Sequence, residues 1–155
     1  ALKILADKAG IYGMVGGQVV DVASCGVGLD EGMLNFIYEL KTGALIESSM
    51  MIGALLAGAD TAELEKVQKI ASDVGIAFQI QDDILDVTST TEELGKPVHS
   101  DEKNEKTTYV TLKGLEKATA DVEVISQEAL KLLAGRDREN PYLTQLIQEL
   151  IHRKK

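Results

Sequence analysis

The chain has 155 residues, 45% of them hydrophobic, which is enough for one modest domain with a core of its own. A formal net charge of −9 excludes the basic footprint of a nucleic-acid binder. The longest apolar stretch, Met50 to Ala59, is too short to span a bilayer. Cys25 is the single cysteine, so an internal disulfide is excluded and a reducing compartment fits. With no signal-peptide pattern at the start, the expectation is a cytoplasmic protein. Two prolines among abundant Ala, Leu, Ile, Glu and Lys favour an all-α fold. The chain opens on Ala1 inside helical sequence, so it reads as part of something longer.

Helical spacing runs from Leu2 to about Val22 through Ile4, Leu5, Ile11, Met14, Val15 and Val19. Gly10, Gly13, Gly16 and Gly17 lie within it, each costing about 1 kcal/mol relative to Ala in a helix interior, so close packing or a ligand must offset them. Ser24 to Gly28 is a turn, and Asp30 caps a second helix reaching the Leu55 region. Lys41-Thr42-Gly43 sits in the middle of that helix, and a β-branched residue followed by Gly predicts a kink there. Asp60 caps a third helix, about Thr61 to Val87, with Glu63 placed to complete a capping box. The core face of that helix reads Leu64, Val67, Ile70, Ala71, Val74 and Phe78.

The pattern then dissolves into a polar stretch from Thr88 to about Thr108, a length that is usually functional or disordered. Two more helices follow, about Thr111 to Leu133 with a division near Ala118, and Pro141 to Arg153, where Pro141 suits a first helical position. No strand and no internal repeat is evident. A single all-α domain over 1–155 is expected.

An acidic chain holds a phosphorylated ligand only where cations bridge the two or basic groups are locally concentrated. Both devices are visible. Asp82 and Asp86 are one turn apart near the end of the third helix, and Asp83 and Asp86 are spaced i,i+3, so the three carboxylates are expected to converge on one patch. Hard carboxylate oxygens with room for water suit magnesium, which shares its shell with substrate phosphates. A solvated acidic helix end is the bland reading, but acids at a helix C-terminus run against the macrodipole.

Gln79 is near the same face, with an amide able to reach a phosphate, a metal-bound water or a carboxylate. Phe78 reads as core. Lys41 beside Thr42 supplies a point charge and a hydroxyl for a buried phosphate, or else a snorkelling surface lysine. Gln18 and Asp21 form a polar pair at the end of the glycine-rich helix. Lys96 and Lys106 lie in the long polar stretch, where closing over a phosphate and simple solvation read alike.

These elements occur in one order: Gly13-Met14-Val15-Gly16-Gly17-Gln18-Val19-Val20-Asp21, Lys41-Thr42-Gly43-Ala44-Leu45-Ile46, Phe78-Gln79-Ile80-Gln81-Asp82-Asp83-Ile84-Leu85-Asp86 and Gly95-Lys96. The order resembles the C-terminal half of the short-chain trans-polyprenyl diphosphate synthases, the farnesyl and geranylgeranyl diphosphate synthase family. The resemblance implies helices around a deep central cavity, where two aspartate-rich motifs hold magnesium on an allylic diphosphate.

By that resemblance Asp82, Asp83 and Asp86 form the second motif. Lys41 and Lys96 contact the allylic diphosphate, Thr42 and Gln79 lie near the reacting carbons, and Lys106 matches a later lysine beside the second motif. The tail His152-Arg153-Lys154-Lys155 resembles one that folds over the substrate entrance.

The implied reaction condenses isopentenyl diphosphate with dimethylallyl or geranyl diphosphate, with magnesium as cofactor and a homodimer as the full-length assembly. The family's first aspartate-rich motif, its arginine pair and its isopentenyl-binding basic residues do not occur in this sequence. The fragment alone is therefore expected to be inactive, with an apolar face left open. A non-catalytic partner subunit of a heteromeric synthase is the first alternative, although such subunits tend to lose these aspartates. A terpene cyclase ranks lower, because cyclases usually carry an Asn/Ser/Glu triad in place of a second Asp-rich run.

Overall fold

A computed structural model describes residues 1–90, 106–136 and 139–153, and every described element is helical. In chain order these are α1 (Leu2–Ala9), α2 (Met14–Ala23), α3 (Glu31–Tyr38), a π-helical turn (Glu39–Gly43), α4 (Ala44–Leu56), α5 (Thr61–Thr88), α6 (Tyr109–Lys113), α7 (Leu115–Ala134) and α8 (Pro141–Ile151). The all-α expectation holds. No described helix is long and apolar enough to cross a membrane.

The backbone of the bundle is α5, whose 28 residues span about 42 Å at 1.5 Å per residue. Val67, Ile70, Ala71, Val74, Ala77, Ile80 and Ile84 recur at three- and four-residue steps, and all are buried. That stripe packs chiefly against α7, through Ala118, Val122, Ala129 and Leu133, and against α4. Ile147 and Ile151 of α8 close the core from one side. Leu64 and Phe78, expected on the core face, are only half-buried because they flank the stripe.

The ends of these helices follow local chemistry. Asp30 Oδ1 accepts from the N–H of Met33 at 2.8 Å, and Asp60 Oδ1 accepts from the N–H of Glu63 at 2.9 Å. Asn140 caps α8 by accepting from Leu143 N–H at 3.0 Å, with Pro141 in the first turn. The reciprocal half of the Asp60 capping box is not what Glu63 does. Its carboxylate pairs with Arg136 of the α7 end, a charge-assisted contact stronger than a neutral cap.

Two expected helices are divided differently in the structure. The first breaks into α1 and α2 across Gly10 to Gly13, where a Cβ on Gly13 would collide with the Lys8 carbonyl. The division within the later helix falls at Gly114 (φ +82°) rather than at Ala118, which is wholly buried against α5. The kink at Lys41-Thr42-Gly43 is borne out as the π-helical turn. Along α1 and α2, Leu2, Ile11, Tyr12, Val19 and Val22 are exposed and give the chain an apolar outer face.

Candidate functional site

The π turn places Lys41, and two glycines admit the turn into the bundle. A Cβ on Gly17 of α2 would sit 2.6 Å from Lys41 N, and one on Gly75 of α5 would sit 2.8 Å from Gly43 Cα. The turn is thus gripped between α2 and α5 at backbone contact distance. Close packing or a ligand was expected to offset the glycines of the first helical run, and at Gly17 the structure shows close packing.

A cleft of about 130 Å³ opens beside this junction, lined by Asp21, Lys41, Gln79, Asp82, Asp83 and Lys106 among others. Those six were candidates on sequence grounds and come from α2, the π turn, α5 and the segment entering α6. Lys41 Nζ lies 2.5 Å from Asp21 Oδ2, and Lys106 Nζ lies 3.5 Å from Asp21 Oδ1. One carboxylate therefore holds two lysines on the same wall. Partial burial pushes the Asp21 carboxyl up, but the hydrogen bonds and charges of Lys41 and Lys106 outweigh it, leaving Asp21 below the usual carboxylate range.

The three aspartates of α5 part company. Asp82 has 41% of its side chain exposed and faces the cleft, where Arg153 Nη2 donates to its Oδ1 at 2.9 Å. Asp83 is buried and accepts from the Tyr38 hydroxyl and from the backbone N–H of Tyr109, the latter at 2.7 Å. Asp86 is buried and does not line the cleft. Among the described residues no group of three or more His, Cys, Asp or Glu side chains lies close enough together to hold a metal ion.

The expected three-carboxylate patch is thereby reduced: Asp82 and Asp83 both line the cleft, Asp83 with one oxygen already bonded to Tyr38 and Tyr109, and Asp86 does not line it. Successive residues turn by about 100° on a helix, so Asp82 and Asp83 address different neighbours, and burial takes Asp86 out of the cleft. The donor chemistry that is left fits magnesium in one specific way. Magnesium is commonly held by one or two carboxylates plus waters and substrate phosphates, and Asp82 is a carboxylate of that kind.

Thr42 does not line the cleft. It borders a neighbouring groove of about 330 Å³ whose lining is mostly apolar, including Leu45, Ile46, Met50, Leu146 and Leu150, and Lys41 borders both spaces. Gln18 is half-buried on α2 and lines neither. Lys96 lies outside the described residues, as do Lys154 and Lys155.

A family model described as polyprenyl synthetase matches residues 1–150. The chain belongs to the polyprenyl synthetase family. It is 44% identical over 138 residues to the chloroplastic geranylgeranyl pyrophosphate synthase of Capsicum annuum, covering 88% of this chain and 37% of that protein. It is 41% identical over 150 residues to the dimethylallyltranstransferase of Fischerella ambigua (strain UTEX 1903), covering 96% of this chain and 43% of that one. Among solved structures, the geranyltransferase from Helicobacter pylori complexed with magnesium and isoprenyl diphosphate superposes with a TM-score of 0.81 at 34% identity. That match covers 97% of this chain and 49% of the other. The chain spans roughly two fifths of the length of the curated relatives named here.

Two residues of this polyprenyl synthetase site, Tyr38 and Tyr109, were not singled out by sequence reasoning, whereas Arg153 was named only as part of a tail expected to fold over the substrate entrance. Tyr38 and Tyr109 enclose Asp83, and Arg153 covers Asp82 while its guanidinium lies 3.7 Å from the centroid of the Phe78 ring. Burial pulls the Arg153 guanidinium below its ordinary value, and the Asp82 charge opposes that. The Tyr109 hydroxyl donates to Asp121 at 2.9 Å, and burial followed by that carboxylate pushes the phenol up to about 12. Helical spacing was the available signal for Tyr38, since it precedes Lys41 by nearly one turn. For Arg153 the signal was the resemblance of the basic tail to one that folds over the substrate entrance, which did not name Asp82 as its partner.

Proposed function

We propose that the full-length protein is a trans-prenyltransferase that condenses isopentenyl diphosphate with an allylic diphosphate, dimethylallyl or geranyl. The observation that carries this reading is the convergence of Lys41, Lys106, Gln79 and Asp82 on one cleft. Two cations, the Asp21 carboxylate that pairs with both, the buried Asp83 and the partly exposed Asp82 face a common space in a chain that is otherwise strongly acidic. A magnesium diphosphate would match that polarity, because the lysines would take phosphate oxygens directly and Asp82 would help hold the metal, whose charge would offset the rest.

In the condensation the C1–O bond of the allylic diphosphate breaks and the diphosphate leaves with the bonding pair. The double bond of isopentenyl diphosphate attacks the allylic cation, a carbon–carbon bond forms, and the resulting tertiary cation gives up a proton to the released diphosphate. Magnesium held at Asp82 would supply charge neutralisation for the leaving diphosphate. Lys41 and Lys106 place fixed positive charge where the leaving group gains negative charge. Asp21 holds both ammonium groups in position and is displaced in their favour by a more highly charged anion. The apolar groove that Lys41 also borders offers a water-poor path for an isoprenoid chain whose head is held by that lysine. A reducing compartment suits Cys25, the cytoplasm and a plastid stroma alike. The resemblance also implies a homodimer, which sedimentation of the full-length protein tests.

The test is Asp82→Ala in the full-length protein, assayed by incorporation of labelled isopentenyl diphosphate into allylic product. Loss of one preorganised electrostatic group at a site of developing charge lowers turnover by about 10²–10³-fold. Turnover within a few-fold of wild type at saturating magnesium defeats the reading.

A further inference from the structure

We propose that Asp83 serves as a buried strut rather than a metal ligand, with Tyr38 as the positioning residue that holds it. The proposal deepens the diphosphate-site reading and rests on it for its catalytic meaning. Tyr38, Asp83 and Tyr109 are 5%, 8% and 8% exposed. The Tyr38 hydroxyl and the Tyr109 N–H both donate to the same oxygen, Asp83 Oδ2, and the Tyr109 N–H lies 3.3 Å from the Tyr38 hydroxyl oxygen.

One carboxylate oxygen therefore joins the last residue of α3, the last cleft-lining residue of α5 and the first residue of α6. Each of those segments carries a charged group of the cleft a few residues away. Lys41 follows Tyr38 in the π turn, Asp82 adjoins Asp83, and Lys106 precedes Tyr109. The approach to α6 is tied down a second time, because Thr107 Oγ1 accepts from Leu29 N–H at 3.0 Å. Thr108 then caps α6 through Thr111.

The chemistry of Asp83 separates it from Asp82. Asp83 also lines the cleft, but its Oδ2 accepts two donors in a buried setting and has its lone-pair directions committed, so withdrawing that carboxylate toward a metal strands two buried donors. Asp82 is partly exposed toward the cleft, and magnesium needs no more than one or two protein carboxylates beside substrate phosphates. The pair Asp82-Asp83 thus divides into a group that meets the ligand and a group that fixes the distance between the two lysine-bearing segments and α5.

Asparagine distinguishes the two roles. Asp83→Asn removes the charge a metal needs but keeps an acceptor oxygen for Tyr38 and Tyr109, whereas Asp83→Ala removes both and Tyr38→Phe deletes one donor. In the full-length protein, two readouts are taken: amide hydrogen exchange at Tyr109, and calorimetric titration of magnesium in the presence of inorganic pyrophosphate.

With loss of one buried hydrogen bond, exchange at Tyr109 accelerates about tenfold in Asp83→Ala and more modestly in Tyr38→Phe, while Asp83→Asn stays near wild type. Magnesium affinity in Asp83→Asn stays within about twofold of wild type, while Asp82→Asn weakens it by about tenfold or more. Equal weakening by Asp83→Asn and Asp82→Asn overturns the strut, as does unaltered exchange in both Tyr38→Phe and Asp83→Ala. If Asp83→Ala does not fold, Tyr38→Phe, which lacks only a hydroxyl, decides the exchange result. If the wild-type protein binds no magnesium–pyrophosphate, the prenyltransferase reading fails, and the exchange comparison still decides whether Asp83 is a strut.

Discussion

Arg153 reaches from just beyond the end of α8 to Asp82 on α5, donating from Nη2 to Oδ1 at 2.9 Å with its guanidinium 3.7 Å from the Phe78 ring centroid. The Gln81 side-chain amide donates to the Arg153 carbonyl at 3.3 Å and fixes the same residue from its backbone. The more exposed of the two α5-motif carboxylates that line the cleft is thus covered by a cation from the chain itself. A metal that binds Asp82 must displace or share that contact.

Replacing Arg153 by alanine removes the competing cation, so magnesium affinity in the absence of substrate should rise. Partly exposed ion pairs are worth about 1 kcal/mol or less, so the gain is at most about fivefold. Titration of the full-length variant with manganese, followed by electron paramagnetic resonance, measures it. Unchanged or weaker metal binding would show that Arg153 does not compete for Asp82.

Gly75 is the position where packing and the site meet. An alanine methyl there would lie 2.8 Å from Gly43 Cα, and the obstruction is backbone, which cannot rotate away. Gly75→Ala must therefore push the π turn off α5, at a cost of about 1–3 kcal/mol for overpacking. Chemical denaturation reads that loss. Because the turn carries Lys41, pyrophosphate affinity should fall in the same variant. A stability equal to wild type with unchanged affinity would show that the turn shifts freely.

Features written in short stretches of sequence were legible. The apolar spacing of α5, the Asp30 and Asp60 caps and the break at Lys41-Thr42-Gly43 each depend on neighbours within a turn or two, and each is present. The convergence of Lys41, Gln79 and Asp82 followed from motif order, which carries tertiary information that spacing does not. What failed depended on partners far along the chain. Glu63 leaves its capping role for Arg136, Asp83 turns to Tyr38 and Tyr109, and Asp82 meets Arg153. The three aspartates look equivalent in sequence because helical spacing fixes their angles but not what each one meets. Gly10 and Gly13 misled for a different reason. A glycine that ends a helix and one that admits a neighbouring helix look alike until the neighbouring backbone is in place.

Asp21 makes the stability of the fold sensitive to acid. Its carboxyl titrates below the ordinary range when folded, burial being outweighed by Lys41 and Lys106. Between the folded value and the unfolded value of about 3.9, the unfolded chain binds more protons, so stability rises with pH across that window. The contribution of the Asp21 carboxylate is therefore fully present above the unfolded value and is lost as pH falls through the folded one. Asp21→Asn lacks that titration. The stability difference between wild type and Asp21→Asn should be constant above about pH 5 and shrink steadily below pH 4. Denaturation midpoints of both proteins across that range measure it. A difference that widens in acid would mean that protonated Asp21 is the form the two lysines prefer, which their charges forbid.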